Sequence, residues 1–384
     1  NHIGSTFDSN SNKVVIVYRD HGNSYYGTAV VGTVSGTAIS FGTPVVFESA
    51  ATEYNAATFD SSSNKVVIAY QDEGNSSHGT SIVGTVSGTS ISFGTAVVFE
   101  AANSGWMSAT FDSSSNKVVI AYRDEGNSGY GTAIVGTVSG TSISYGTAVV
   151  FESASTSYIA TLFDSNSNKV VIAYRDISNS NYGTAIVGTV SGTAISYGTA
   201  VVFKSSSSAY IAAIFDSSAN KVVIAYSDWG NSSVGEAVVG TVSGTAISYG
   251  TAVVFNSAAT SYVGATFDSN ANRAVFAYRD DGDSDGTGIQ GTVSGTAISF
   301  GTPVDFEASN IVGYISATFD SNSNRAVFAY RDDGGSYYGT GVTFGSTVTT
   351  DVNDEIGIAA EAGTDGNPLD VTILGGVNAS QSGL

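Results

Sequence analysis

The tripeptide Phe-Asp-Ser returns at a fixed interval of 52 residues, beginning at Phe7, Phe59, Phe111, Phe163, Phe215, Phe267 and Phe319, so seven copies of one unit fill nearly all of the 384-residue chain. A unit of this size cannot bury its apolar face alone, and neighbouring copies must stack to make a continuous core. The content of one unit therefore sets the fold. In the third copy, 106–111, 117–124, 131–138 and 142–152 read as four strands, with β-branched and aromatic runs such as Val-Val-Ile-Ala-Tyr and no helical spacing. The segments between them, Asp-Ser-Ser-Ser-Asn, Glu-Gly-Asn-Ser-Gly-Tyr and Ser-Gly-Thr, are the clusters that punctuate antiparallel hairpins.

Four antiparallel strands per unit, seven times over, predict an all-β chain folded as a seven-bladed β-propeller across 1–350. Its blades begin near residues 2, 54, 106, 158, 210, 262 and 314. A β-solenoid is the rival, although its coils are shorter and parallel. The seventh copy diverges after Gly339-Thr340, which makes 351–384 an atypical β segment. There 355–360 is expected to close the last blade, and 369–374 to add a strand.

Charge placement excludes several partners. Of the thirteen basic residues, seven open the second strand (Lys13, Lys65, Lys117, Lys169, Lys221, Arg273, Arg325) and five end it (Arg19, Arg123, Arg175, Arg279, Arg331), leaving Lys204. With a net charge of −20 there is no basic stripe to neutralise phosphates, so nucleic acid and anionic membranes are poor partners. No apolar run approaches the roughly 20 residues needed to span a bilayer. Cysteine is absent, so disulfides and thiolate metal sites are too. The start, Asn-His-Ile-Gly, reads as that of a fragment or a processed product.

The string Phe-Asp-Ser-Asn-Ser-Asn-Lys-Val-Val-Ile-Val-Tyr-Arg-Asp at 7–20, and after it Val-Gly-Thr-Val-Ser-Gly-Thr-Ala-Ile-Ser at 31–40, resembles repeats in large tail-fibre-like virion proteins of marine bacteriophages and their metagenomic homologues. The closing segment, Glu355-Ile-Gly-Ile-Ala-Ala-Glu and then Val371-Thr-Ile-Leu-Gly-Gly-Val-Asn and Gln381-Ser-Gly-Leu, looks like the stretch that succeeds such repeats in those proteins. The resemblance implies an extracellular or virion-surface location, other virion proteins as partners, and no catalytic motif.

In a blade counted outward from the axis, the turns Asp-Ser-x-Ser/Ala-Asn and Ser-Gly-Thr fall on one face of the disc and repeat almost unchanged, which is turn chemistry. The opposite face varies between copies, and loops held by a rigid scaffold are where binding residues sit. Five residues before each Phe-Asp stands His2, Tyr54, Trp106, Tyr158, Tyr210, Tyr262 or Tyr314. Seven large rings would encircle the mouth of the axial channel, where they either stack on sugar faces or plug the channel. The loops joining second to third strands carry an Asp-x-Gly-Asn-Ser-x-Tyr pattern that faintly resembles the structural Asp-box hairpin of sialidases. The arginines preceding that Asp (Arg19, Arg123, Arg175, Arg279, Arg331) either hold turns and blades together or join the rim as ligand contacts.

The sixth copy breaks the pattern with Asp281-Gly-Asp283-Ser-Asp285-Gly286. Alternating carboxylates ending in Gly suit a calcium loop, yet the position of the bidentate Glu holds Thr292, so an acidic solvated turn is the competing reading. No cofactor is otherwise required. Because the carboxylates recur at equivalent places in every copy, whereas an active site needs asymmetric ones, the chain reads as non-catalytic, with a glycosidase as the minor alternative. Two roles remain: a surface module that recognises a host-surface glycan or protein, or a structural spacer or decoration touching other virion proteins.

Overall fold

The computed structural model describes residues 3–308, 312–333, 338–345, 371–373 and 377–379. The chain divides into two compact units, Asn1–Phe344 and Gly345–Leu384. Every described strand pairing in the first unit is antiparallel, which removes the solenoid. No α-helix occurs among the described residues; two copies carry a single 3₁₀ turn, Glu73–Asn75 and Glu125–Asn127.

The third copy shows the plan. Lys117–Asp124 pairs on one side with the end of Val97–Asp112 (Val118 opposite Phe111) and on the other with Tyr130–Ser139 (Asp124 opposite Tyr130). The outer edge differs from the sequence expectation, which runs one fourth strand over 142–152. That edge is filled by two segments end to end: Ser142–Tyr145 covers one half of Tyr130–Ser139, and the start of Val149–Asp164 covers the other. The break falls at Gly146, whose amide bonds back to the Val135 carbonyl at 3.0 Å. A Cβ at Gly146 would stand 2.0 Å from the Thr193 carbonyl oxygen of the next copy, an approach only glycine permits.

The second departure is larger. Val149–Asp164 does not stop at the edge of its own sheet; it continues for 16 residues, and its second half becomes the innermost strand of the next, with Phe163 opposite Val170. Val45–Asp60, Val97–Asp112, Val201–Asp216 and Val253–Asp268 do the same. The first six sheets are thus welded by shared strands.

The core lies between sheets. Val118 to Tyr122 are fully buried, because both faces of the second strand are covered, and this accounts for the unbroken apolar run. Val118, Ile120 and Tyr122 pack on Val67 and Ala69 of the preceding copy, while Val119 and Ala121 receive Ile172 and Tyr174 of the following one. Each sheet thus sets a large face against a small one. In the sixth and seventh copies Lys-Val-Val-Ile-Ala-Tyr becomes Arg-Ala-Val-Phe-Ala-Tyr: the large face loses volume at Ala274 and Ala326 and regains it at Phe276 and Phe328. The same scheme joins the two ends of the first unit, since Val327 and Ala329 of the last copy pack on Val14 and Ile16 of the first. A hydrogen bond of 2.8 Å between the Ser5 and Ser316 hydroxyls adds to it. The result is a propeller-like array.

A locking residue recurs at the rim of the first six sheets. Phe99 lies against Gly79, where an added Cβ would come within 2.6 Å of the ring, and its ring also meets Tyr122 at 5.2 Å. Tyr122 in turn donates to the Glu100 carboxylate at 3.0 Å, tying two copies together; Tyr70 with Glu48 and Tyr174 with Glu152 repeat the bond. In the second unit, Val371–Ile373 pairs antiparallel with Val377–Ala379, and the strand expected at 355–360 lies outside the described residues.

Candidate functional site

The two faces are built from different backbone chemistry. On the repetitive face, Asp112 is buried and its Oδ1 accepts the amides of Ser114 (2.9 Å) and Ser115 (3.0 Å) and the Ser114 hydroxyl (2.7 Å). Asn116 then turns the chain at φ 55°, and Asn12, Asn64, Asn168, Asn220, Asn272 and Asn324 do likewise. These carboxylates are consumed by turns. At this end of the axis an open cavity of about 550 Å³ is lined by phenylalanines of the Phe-Asp repeat, including Phe59, Phe111, Phe163, Phe215 and Phe267. The same period that marks the repeat marks this apolar ring, but spacing alone does not say that it faces the axis.

On the variable face, Tyr54, Trp106, Tyr158, Tyr210 and Tyr262 sit at the bulge where each shared strand enters its second sheet, and Tyr314 sits at the equivalent bulge of Val312–Asp320, all with φ between 48° and 51°. A left-handed backbone is unusual for an aromatic residue and costs on the order of 1–3 kcal/mol. The surroundings enforce it six times over. The bulge aims the rings inward, where they form a chain of neighbours: Tyr54 to Trp106 5.3 Å, Trp106 to Tyr158 4.4 Å, Tyr158 to Tyr210 5.2 Å, Tyr210 to Tyr262 5.1 Å and Tyr262 to Tyr314 5.3 Å between centroids. The opening they leave is about 20 Å³, room for roughly one water. The described rings therefore narrow the axial mouth while each stays half-exposed. Burial raises the Tyr54, Tyr158 and Tyr262 phenol pKa values, so these hydroxyls remain protonated donors. His2 lies outside the described residues.

The arginines stand just outside this ring. Four have acids beside them: Arg19 with Glu53, Arg123 with Glu125 at 2.8 Å, Arg279 with Asp281 at 2.9 Å, and Arg331 with Asp333 through Nη2 at 2.8 Å. Arg331 also lies 4.6 Å from the Tyr314 centroid, and Arg19 4.5 Å from that of Tyr25. Arg175 differs, for its Nε donates to the neutral Asn181 side chain at 3.0 Å.

Beside Arg175 stands a residue the repeat pattern does not pick out. Trp229 is 42% exposed, and its ring lies 6.2 Å from both Tyr158 and Tyr210, nearly perpendicular to each. The Arg175 guanidinium sits 4.9 Å from the indole centroid. The sequence signal is its singularity: the same loop position holds His21, Glu73, Glu125, Ile177, Asp281 or Asp333 in the other copies.

A further cleft and an acidic loop belong to this face. Between the first and seventh copies lies a cleft of about 440 Å³ lined in part by Tyr18, Arg19, His21, Tyr314 and Arg331. Burial and the two arginines lower the His21 pKa, favouring the neutral ring. In the acidic loop of the sixth copy, Asp281 faces Arg279 and accepts the Ser261 hydroxyl at 2.9 Å, while Asp283 accepts the Asp285 amide at 3.1 Å. Among the described residues no three carboxylate or imidazole groups converge as metal ligands do. No helix among them is long and apolar enough to cross a membrane.

No protein-family model and no curated protein sequence matches the chain. Among solved structures, it is similar to the BP39L lectin of Burkholderia pseudomallei, with a TM-score of 0.59 at 12% identity over 89% of this chain and 97% of that one. It is also similar to hydrazine synthase of Kuenenia stuttgartiensis, with a TM-score of 0.61 at 7% identity over 89% and 95%. At these identities the likeness is one of fold. That fold carries a lectin in one case and part of an enzyme in the other, so function has to be argued from the site.

Proposed function

We propose that the chain is a closed seven-bladed propeller that acts as a non-catalytic glycan-binding module, displayed on a virion surface in keeping with its tail-fibre-like repeats. One observation carries this reading: half-exposed aromatic rings and arginines are interleaved on a single face, and that face is the one that varies between copies. Aromatic faces supply apolar contact to sugar rings, and guanidinium and phenol groups supply directional hydrogen bonds. The BP39L lectin, a carbohydrate-binding protein by its name, lends the fold a precedent. Against catalysis, the buried repeat aspartates are held in turns, and they recur in every copy.

Sites of this kind are weak singly, so display in several copies would supply avidity. A glycan array probed with the protein presented multivalently tests the reading: retention of a defined saccharide, lost when the rim arginines are changed together, is the expected result. The narrowed axial mouth favours a second reading, a structural spacer, because the rim rings turn much of their surface toward one another. Absence of any saccharide at millimolar sensitivity, with stable association to another virion protein, would establish the spacer instead.

A further inference from the structure

We infer that Trp229, Tyr210, Tyr158 and Arg175 form one asymmetric subsite for an acidic sugar, one bearing a carboxylate or a sulfate. The inference rests on the glycan-binding reading and narrows it to one corner of the rim and one ligand chemistry.

The other rim arginines are each neutralised by a nearby acid. Arg123, Arg279 and Arg331 take one two residues on, from Glu125, Asp281 and Asp333. Arg19 takes one from the next copy, from Glu53. Around Arg175 both sources are gone: two residues on stands Ile177, and the residue corresponding to Glu53 is Ala209. Its Nε is satisfied by Asn181, and its terminal nitrogens make no hydrogen bond to any described residue. The guanidinium is half-buried, and desolvation lowers its pKa, the mark of a cation held partly out of water without a counter-charge. A bound anion would offset that cost, and the free edge of the guanidinium matches a carboxylate or sulfate through paired N–H donors.

The neighbouring ring supplies the other half of sugar recognition. Trp229 projects from a pinned loop: its amide bonds to the Ser207 carbonyl at 2.8 Å, and the Gly230 amide to Asp228 Oδ1 at 3.0 Å. Tyr158 and Tyr210 hold the indole edge to face from the rim side. An exposed aromatic plane fixed beside an uncompensated cation is thus built before any ligand arrives, which cuts the ordering cost of binding. The surrounding charge of −20 sets a limit on the ligand, since a densely charged polyanion is repelled at long range. A lightly charged oligosaccharide is the fitting class.

The chain has two tryptophans, so Trp229 emission can be followed against that of Trp106. Three probes are titrated into the whole protein: an oligogalacturonate for the carboxylate, a sulfated galactan oligosaccharide for the sulfate, and a neutral oligoglucan. Saturable change with one or both acidic probes is expected, with the stronger of the two identifying the anion. Arg175→Gln should weaken it at least tenfold, with Arg175→Lys falling between, and Trp229→Ala should abolish binding of the same probe read by titration calorimetry. Lys117→Gln, which removes the same charge from the opposite face, should leave it unchanged. Neutral and acidic probes binding alike, or acidic binding insensitive to Arg175→Gln, would overturn the acidic subsite while leaving glycan recognition standing. If no saccharide binds in this titration or on the array, both fall.

Discussion

The Lys204 ammonium lies 2.7 Å from the Glu236 carboxylate, and the pair exchanges the chemistry of the same two positions elsewhere, which hold Glu48 and Thr80, Glu100 and Thr132, or Glu152 and Thr184. Lys204 also reaches Asp228 at 2.7 Å, so in this copy a cation sits where the others place a carboxylate near the equivalent aspartate. Burial alone would lower the Lys204 pKa, but hydrogen bonds and charge from Asp228 and Glu236 overcome it and raise it. Tyr226 then donates to Glu236 at 2.9 Å instead of to the missing glutamate.

This compensation predicts strong coupling. Lys204→Glu alone leaves the buried Glu236 and Asp228 facing a third, half-buried carboxylate and should cost about 3 kcal/mol in urea denaturation. The double variant Lys204→Glu with Glu236→Thr recreates the arrangement of the other copies and should recover most of that loss. A double variant no more stable than the worse single one would deny that the two positions act together.

The glycine beneath the locking phenylalanine separates the copies. Gly79→Ala drives a methyl into the Phe99 ring and should cost about 1–3 kcal/mol by overpacking. Gly339 holds the same place in the seventh copy, yet an added Cβ there meets no described atom within 4 Å.

At the repetitive turns, Asn116 has φ 55°. Asn116→Gly should leave stability within a few tenths of a kcal/mol, whereas Asn116→Ala should lose about 1 kcal/mol, because alanine tolerates the left-handed region poorly. Equal losses from both would point to the side chain rather than to the backbone.

How much of this the sequence discloses depends on whether a local pattern or a distant neighbour decides the outcome. The second strand is plain in Lys117–Asp124, since burial on both faces demands an unbroken apolar run. The shared strand is not, because Ser153-Ala-Ser-Thr reads as a turn and becomes strand only when two sheets pair with it. The break at Gly146 depends on the Thr193 carbonyl, 47 positions away. Likewise the spacing places Tyr158 and Tyr210 at a rim, but tyrosine is a good strand former and nothing local announces its left-handed backbone. The meeting of Trp229 with Arg175 needs the curvature that brings two copies together.

Acidity should stabilise part of this scaffold. Burial raises the pKa of Glu48, Glu100 and Glu152 above the usual carboxylate value, the neighbouring aspartates Asp72, Asp124 and Asp176 adding to it. A raised carboxyl binds its proton more tightly in the folded state, so its stabilising contribution is full below the unfolded value and is lost as pH rises through the folded one. The triple variant Glu48→Gln, Glu100→Gln, Glu152→Gln should flatten the pH dependence of the urea midpoint as pH rises above the ordinary glutamate range. An unchanged slope would remove these three groups from the account.

Calcium is not expected to support the fold. Asp281 already faces Arg279 and the Ser261 hydroxyl, so chelation with EDTA should leave the melting temperature of the protein unchanged. A clear fall, reversed by added calcium, would place an ion in the loop holding Asp281, Asp283 and Asp285.

Because Val97–Asp112 belongs to two sheets at once, no linker separates the second copy from the third. A proteolytic nick within it would damage both neighbours, while the exposed tip between Asp112 and Lys117 can be opened with the loss of a single hairpin. The segment that can be gained or lost by recombination without splitting a strand therefore runs from one Asp-Ser turn to the next, out of phase with the sheets themselves. The repeat of the sequence and the boundaries of the sheets thus start from different points along the chain.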